Sequence, residues 1–213
     1  MRAIAILATA AAIAVLSGPA LAAWREHPYK DLGFIVEFPD EPKTSTGNYR
    51  TVLVSSAPVH IFSQKQDNAL FIASVVDLQN QATEGASLMT EAEFNLALIG
   101  DVVGNSTSRV EPGKDAVFGR FITIACKKGR VPDQPGQDVA AQNWFKAVTG
   151  GDCPDGSRLT VNLFFHRGRM YLINGINLPS GEDTPAGPAA LRFANSISFF
   201  RPDGTRSAAD NVP

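Results

Sequence analysis

The sequence predicts an α+β domain built on antiparallel strands, and three stretches carry the prediction. Residues 158–178 read as a β-hairpin. Residues 158–165 alternate apolar and polar for most of their length, His166-Arg167-Gly168-Arg169 is a turn, and residues 170–178 return as a second strand. Residues 69–78 form a strand with Leu70, Ile72 and Val76 on one face and Phe71, Ala73 and Val75 on the other. Apolar residues on both faces mean a strand covered on both sides. Residues 185–199 place Ala190, Phe193, Ala194 and Ile197 at helical spacing.

The elements follow in order. Arg2 and the apolar run 3–16 precede Ser17-Gly18-Pro19 and the small-x-small triplet Ala20-Leu21-Ala22. That is the pattern of a signal peptide at residues 1–22, cleaved after Ala22 and too short for a membrane span. The roughly 190 residues that remain are enough for one domain, expected at 23–200. Residues 24–29 are polar with two aromatics and read as a docking arm. Residues 32–39 are the first strand, with Phe34, Val36 and Phe38 on one face, and Pro39 ends it. Residues 40–48 are turn chemistry. Strands follow at 49–55 and 59–65, then a turn at 66–68.

After the strand at 69–78 comes a polar linker, residues 79–87. Thr90-Glu91-Ala92-Glu93 reads as a capping box opening a helix to about Val103, buried through Phe94, Ala97 and Leu98 and widened by Leu96 and Ile99. Gly104-Asn105 is its stop. Residues 107–111 and 116–126 form a hairpin through Pro112-Gly113-Lys114-Asp115. Residues 127–156 read as a loop-rich excursion from the sheet, with a short helix at 138–148. The tail, residues 201–213, has no periodicity and is expected to be disordered.

Cys126 and Cys153 are the only cysteines. In an oxidising compartment such a pair is bridged rather than free, and its spacing is unlike the C-x-x-C of a redox pair. The bridge would sit at the neck of this excursion and lower unfolded-state entropy by roughly 3–4 kcal/mol.

Tyr29 with Asp31, Gly33-Phe34-Ile35-Val36-Glu37-Phe38-Pro39 and Glu41-Pro42 resembles the opening of PsbP-like (Mog1/PsbP-fold) bacterial proteins. Residues 169–173 resemble that family's late strand, and 192–197 its closing helix. The resemblance covers both ends of the domain and leaves the middle unmatched, and against it the excursion at 127–156 looks like an insertion. It implies an antiparallel sheet with helices on both faces, an α/β/α sandwich. It also implies an accessory or interaction role and supplies no catalytic motif.

The chemistry searched for is sparse. The net charge is −2, and becomes −3 without Arg2, which argues against nucleic acid and anionic membranes as partners. No later run reaches transmembrane length, so no stable membrane insertion is expected. His27, His60 and His166 have no ligand partner at helical or strand spacing, so no metal site is read. Gly85-Ala86-Ser87-Leu88 lacks the last glycine of a nucleophile elbow. Asp152-Cys153-Pro154-Asp155-Gly156 is a tight turn rather than a calcium loop. Neither catalytic residues nor a cofactor are expected.

Two surfaces remain as partner-binding candidates. Lys127, Lys128 and Arg130 are a solvated loop or a patch for an anionic partner. Trp144 and Phe145 are a local anchor or a recognition surface. The resulting expectation is a periplasmic or secreted, non-enzymatic accessory or binding protein of the cell envelope, its partner a protein or small ligand. The competing expectation is a hydrolase or metal-dependent enzyme with dispersed residues, which requires His60, His166 and an acid to meet in one pocket.

Overall fold

A computed structural model of the chain describes residues 24–80, 85–109, 118–127, 136–179 and 187–206. Their order is β1 (Arg25–Tyr29), a single 3-10 turn (Lys30–Leu32), β2 (Phe34–Phe38), β3 (Lys43–Tyr49), β4 (Ala57–Gln66), β5 (Ala69–Asp77), α1 (Gly85–Ile99), β6 (Gly100–Arg109) and β7 (Phe118–Cys126). Then come α2 (Gln137–Thr149), β8 (Arg158–His166), β9 (Arg169–Asn177), α3 (Pro188–Ala194) and β10 (Ser198–Phe199). The strands form two antiparallel sheets, β1-β2-β10 and β3-β4-β5-β9-β8-β7-β6. The expected α+β class with an antiparallel sheet is therefore what the chain forms.

The core divides along the side-chain alternation of the central strands. Ile72 and Val76 of β5 belong to one cluster with Leu88, Ala92, Leu96 and Ile99 of α1 and Ala141, Trp144, Phe145 and Val148 of α2. Phe71, Ala73 and Val75 belong to the other, with Phe34, Val36 and Phe38 of β2 and with Phe193. The hairpin β8–β9 runs as read, with Leu163 opposite Leu172. Its two-residue turn carries positive φ at Arg167 and Gly168. Gly175 of β9 is where α3 lands: a Cβ there would collide with the carbonyl of Ala190.

Several expectations are corrected. Residues 24–29 hold a strand rather than a docking arm: β1 pairs with β2, and Trp24 packs edge-on against Phe71 at 5.2 Å with the Arg192 guanidinium 4.7 Å over its ring. The turn read at 40–48 is largely β3, and the strand read at 49–55 is mostly loop. β3 is an edge strand exposed except at Tyr49, so neither face demands an apolar pattern. α1 begins at Gly85, five residues before Thr90, whose hydroxyl donates to the Ala86 carbonyl at 3.0 Å instead of capping. Its buried stripe is Leu88, Ala92, Leu96 and Ile99, which leaves Phe94 51% exposed and Leu98 half-buried. Gly104 and Asn105 lie inside β6, next to a register shift after Val102.

The closing helix is shorter than expected, since Pro188 opens it and β10 follows. Residues 201–206, read as the start of a disordered tail, turn back: the Arg201 amide donates to the Thr205 carbonyl at 2.8 Å, and Phe200 bridges Arg206. The signal peptide, the turn at 112–115 and the tail from 207 lie outside the described residues.

Candidate functional site

A cleft of about 580 Å³ opens where the end of β1 and the 3-10 turn meet β4, lined by Pro28, Tyr29, Lys30, Asp31, Leu32 and His60. That volume lies in the range of small-ligand sites. Its position follows from the register. On β4, Val59 and Ile61 belong to the helix-bearing cluster and Phe62 to the cluster around β2. His60, alternating with Val59 and Ile61, therefore emerges on the same side as Phe62, beside the small sheet.

Behind Tyr29, which lines the cleft, the packing is aromatic. The Tyr29 ring stacks on Phe34 at 4.9 Å and lies 3.9 Å from Phe62. Burial, and then the Glu41 carboxylate, push the Tyr29 phenol above its ordinary range, so it remains protonated at neutral pH and able to donate. The 3-10 turn is held from behind. The hydroxyl of buried Tyr171 donates to the Leu32 carbonyl at 2.9 Å. Burial dominates Tyr171 too and pushes its phenol up to about 12, against the pull of Arg169. Gly33 closes the turn with φ 80 and donates its amide to the Lys30 carbonyl at 3.1 Å. Among the described residues, Lys30, Asp31 and His60 are engaged in neither an ion pair nor a side-chain hydrogen bond.

The residues singled out from sequence lie elsewhere. Trp144 and Phe145 are 4% and 0% exposed, packed in the core with α1, so the folded protein does not offer them as a recognition surface. They pack α2 against α1 and the large sheet. Lys127 is exposed, with its amide donating to the Ile99 carbonyl at 3.2 Å; Lys128 and Arg130 lie outside the described residues. Cys126 and Cys153 sit at disulfide distance, with Cα atoms 5.9 Å apart, within the span a bridge requires. Backbone bonds close the same neck: Cys126 donates to the Ser157 carbonyl at 2.9 Å and accepts from Gly156 at 3.0 Å.

The histidines stay dispersed. His60 is level with Val75, Tyr171 and Phe164 across the ladder, three strands from β8, or roughly 14 Å at the usual spacing. His166 lies two residues farther along β8, with its ring 5.1 Å from Phe199. His27 stacks edge-on against Phe38 and approaches Glu41 at 3.8 Å. Among the described residues no group of three His, Cys, Asp or Glu is placed to hold a metal, and no helix is long and apolar enough to cross a membrane. The pocket that the dispersed-enzyme expectation required does not assemble from His60 and His166.

Sequence reasoning missed the cleft. Residues 28–32 are contiguous in the sequence, but only the folding of β4 into the large sheet brings His60 to them. No family model matches the chain, and neither a curated protein nor a solved structure matches it.

Proposed function

We propose that the chain is an exported, non-enzymatic binding protein of the cell envelope that takes a small ligand in the cleft between the 3-10 turn and β4. The observation that carries this reading is the convergence of Lys30, Asp31 and His60, uncommitted among the described residues, on a cleft whose apolar wall is Pro28, Leu32 and the Tyr29 ring, itself backed by Phe34 and Phe62. Polar groups converging beside an apolar wall are the usual anatomy of a ligand site. Export is supported by residues 1–22 and by the Cys126–Cys153 pair, which an oxidising compartment keeps bridged. The proposed architecture is the α/β/α sandwich of PsbP-like proteins. Its support is the division of the core, with α1 and α2 in one cluster and Phe193 of α3 in the other.

The test is a small-molecule screen against the ¹⁵N-labelled protein. Binders are expected to move the amides of residues 29–32 and 60. Binders that move only other regions, or turnover of a hydrolysable substrate panel, would refute the reading. Fractionation and N-terminal mass determination test export, with Ala23 expected as the first residue.

A further inference from the structure

We infer that the ligand of this cleft is a small zwitterion with an apolar body, an amino acid or short peptide. The inference rests on the proposal that the cleft binds a small ligand. Lys30 and Asp31 put opposite charges on adjacent residues of one 3-10 turn. In such a turn successive side chains leave the axis about 120° apart, so the two charges, both lining the cleft, diverge rather than pair with each other. Neither is spent on an ion pair among the described residues.

A purely anionic ligand gains from Lys30 and is repelled by Asp31; a purely cationic one meets the reverse. A ligand carrying both an ammonium and a carboxylate gains from each. Pro28, Leu32 and the Tyr29 ring supply apolar wall for its side chain, and His60 faces it from β4 with nitrogens able to donate or accept. The backbone that carries the two charges is also preorganised. The turn that bears them is fixed by the Tyr171 hydroxyl on Leu32 and by the left-handed Gly33, so little backbone freedom is lost on binding.

The experiment compares four probes by calorimetry and ¹⁵N shifts: L-leucine, L-leucyl-L-leucine, N-acetyl-L-leucine, which lacks the ammonium, and L-leucinamide, which lacks the carboxylate. At least one of the first two is expected to bind about tenfold more tightly than either blocked form. Their ranking separates an amino acid from a peptide ligand. Lys30→Gln should weaken the zwitterion about tenfold and leave leucinamide unchanged or improved. Asp31→Asn should weaken the zwitterion similarly and spare the N-acetyl compound. Both side chains are exposed, so both variants should fold. Equal binding of all four probes at residues 29–32, or variants that leave the ranking unchanged, would overturn the zwitterion while leaving the cleft a ligand site. If none of the four moves residues 29–32 or 60, the zwitterion is refuted, and the broader screen decides whether the cleft binds at all.

Discussion

The two core clusters are built of different chemistry. Around β2 and α3, eight of the fourteen buried residues described are aromatic, and their rings form two linked groups: Phe38 and Phe71 lie 4.9 and 5.3 Å from Phe193, and in the other group Tyr171 lies 4.9 Å from Phe199 and 5.7 Å from Phe34. Around α1 and α2, three of twenty-six are aromatic and the rest mostly aliphatic. An aromatic cluster gains from specific ring geometry as well as area. An aliphatic one depends on area and fit alone. The first is assembled mainly from strands and the two ends of the domain; the second needs two helices in the right phase, one held by a disulfide. The zwitterion cleft grows out of the aromatic side.

The sharpest way to break the comparison is one large-to-small change in each cluster. Phe193→Ala removes a ring that two others touch and should cost about 3–5 kcal/mol. Leu172→Ala, fully buried in the other cluster, should cost about 2–5 kcal/mol, nearer the lower end if α1 and α2 settle into the space. Urea unfolding measures both. If Leu172→Ala proved costlier than Phe193→Ala, the ring set would contribute little beyond its area.

Next in size is the bridge. Replacing Cys126 and Cys153 together by serine should lower stability by about 2–4 kcal/mol. Hydrogen exchange should accelerate first in α2, because the bridge anchors the end of β7 to the loop after α2, while the amides of β2 and β9 hold. Equal acceleration in both clusters would show that α2 does not open separately from the sheet. Because Trp144 and Phe145 are core residues, opening also exposes apolar surface and should raise dye binding.

The contrast also explains what could be read in advance. The β8–β9 hairpin and the Phe34, Val36, Phe38 face are legible because a buried strand repeats every two residues over a short span. α1 misleads because Thr90-Glu91-Ala92-Glu93 copies a capping box inside a helix already under way, shifting the inferred stripe onto exposed Phe94. β3 has almost no buried side chain to betray it, and β1 hides as a polar segment whose partner is backbone. The cleft needs Tyr29 and His60 side by side, a consequence of strand register that no local pattern encodes.

Alkaline pH probes both clusters through their buried tyrosines. Tyr49 and Tyr171 are each pushed up to about 12, mainly by burial, against an ordinary value near 10. Between those values the unfolded chain releases a proton that the folded chain keeps. Stability is therefore unaffected below pH 10 and falls by about 1.4 kcal/mol per pH unit for each tyrosine as pH approaches 12. Urea midpoints taken from pH 8 to 12 should be flat and then drop; a drop beginning below pH 9 would have another cause.

The smallest effects separate the two tyrosines. The Tyr171 hydroxyl donates to the Leu32 carbonyl, whereas the Tyr49 hydroxyl makes no hydrogen bond among the described residues, although Trp144, Thr51 and Glu91 surround it. Removing a made hydrogen bond and removing an unmet polar atom have opposite signs. Tyr171→Phe should cost about 1 kcal/mol, and Tyr49→Phe should be neutral or stabilise by up to about 1 kcal/mol. The first change also frees the turn that carries Lys30 and Asp31, so it should weaken L-leucine or dipeptide binding; the second should leave binding untouched, since Tyr49 sits in the other cluster. Were Tyr49→Phe as costly as Tyr171→Phe, its hydroxyl would be a bonded member of the α1–α2 junction. Were Tyr171→Phe silent in binding, the turn would be held by Gly33 and the aromatic stack alone.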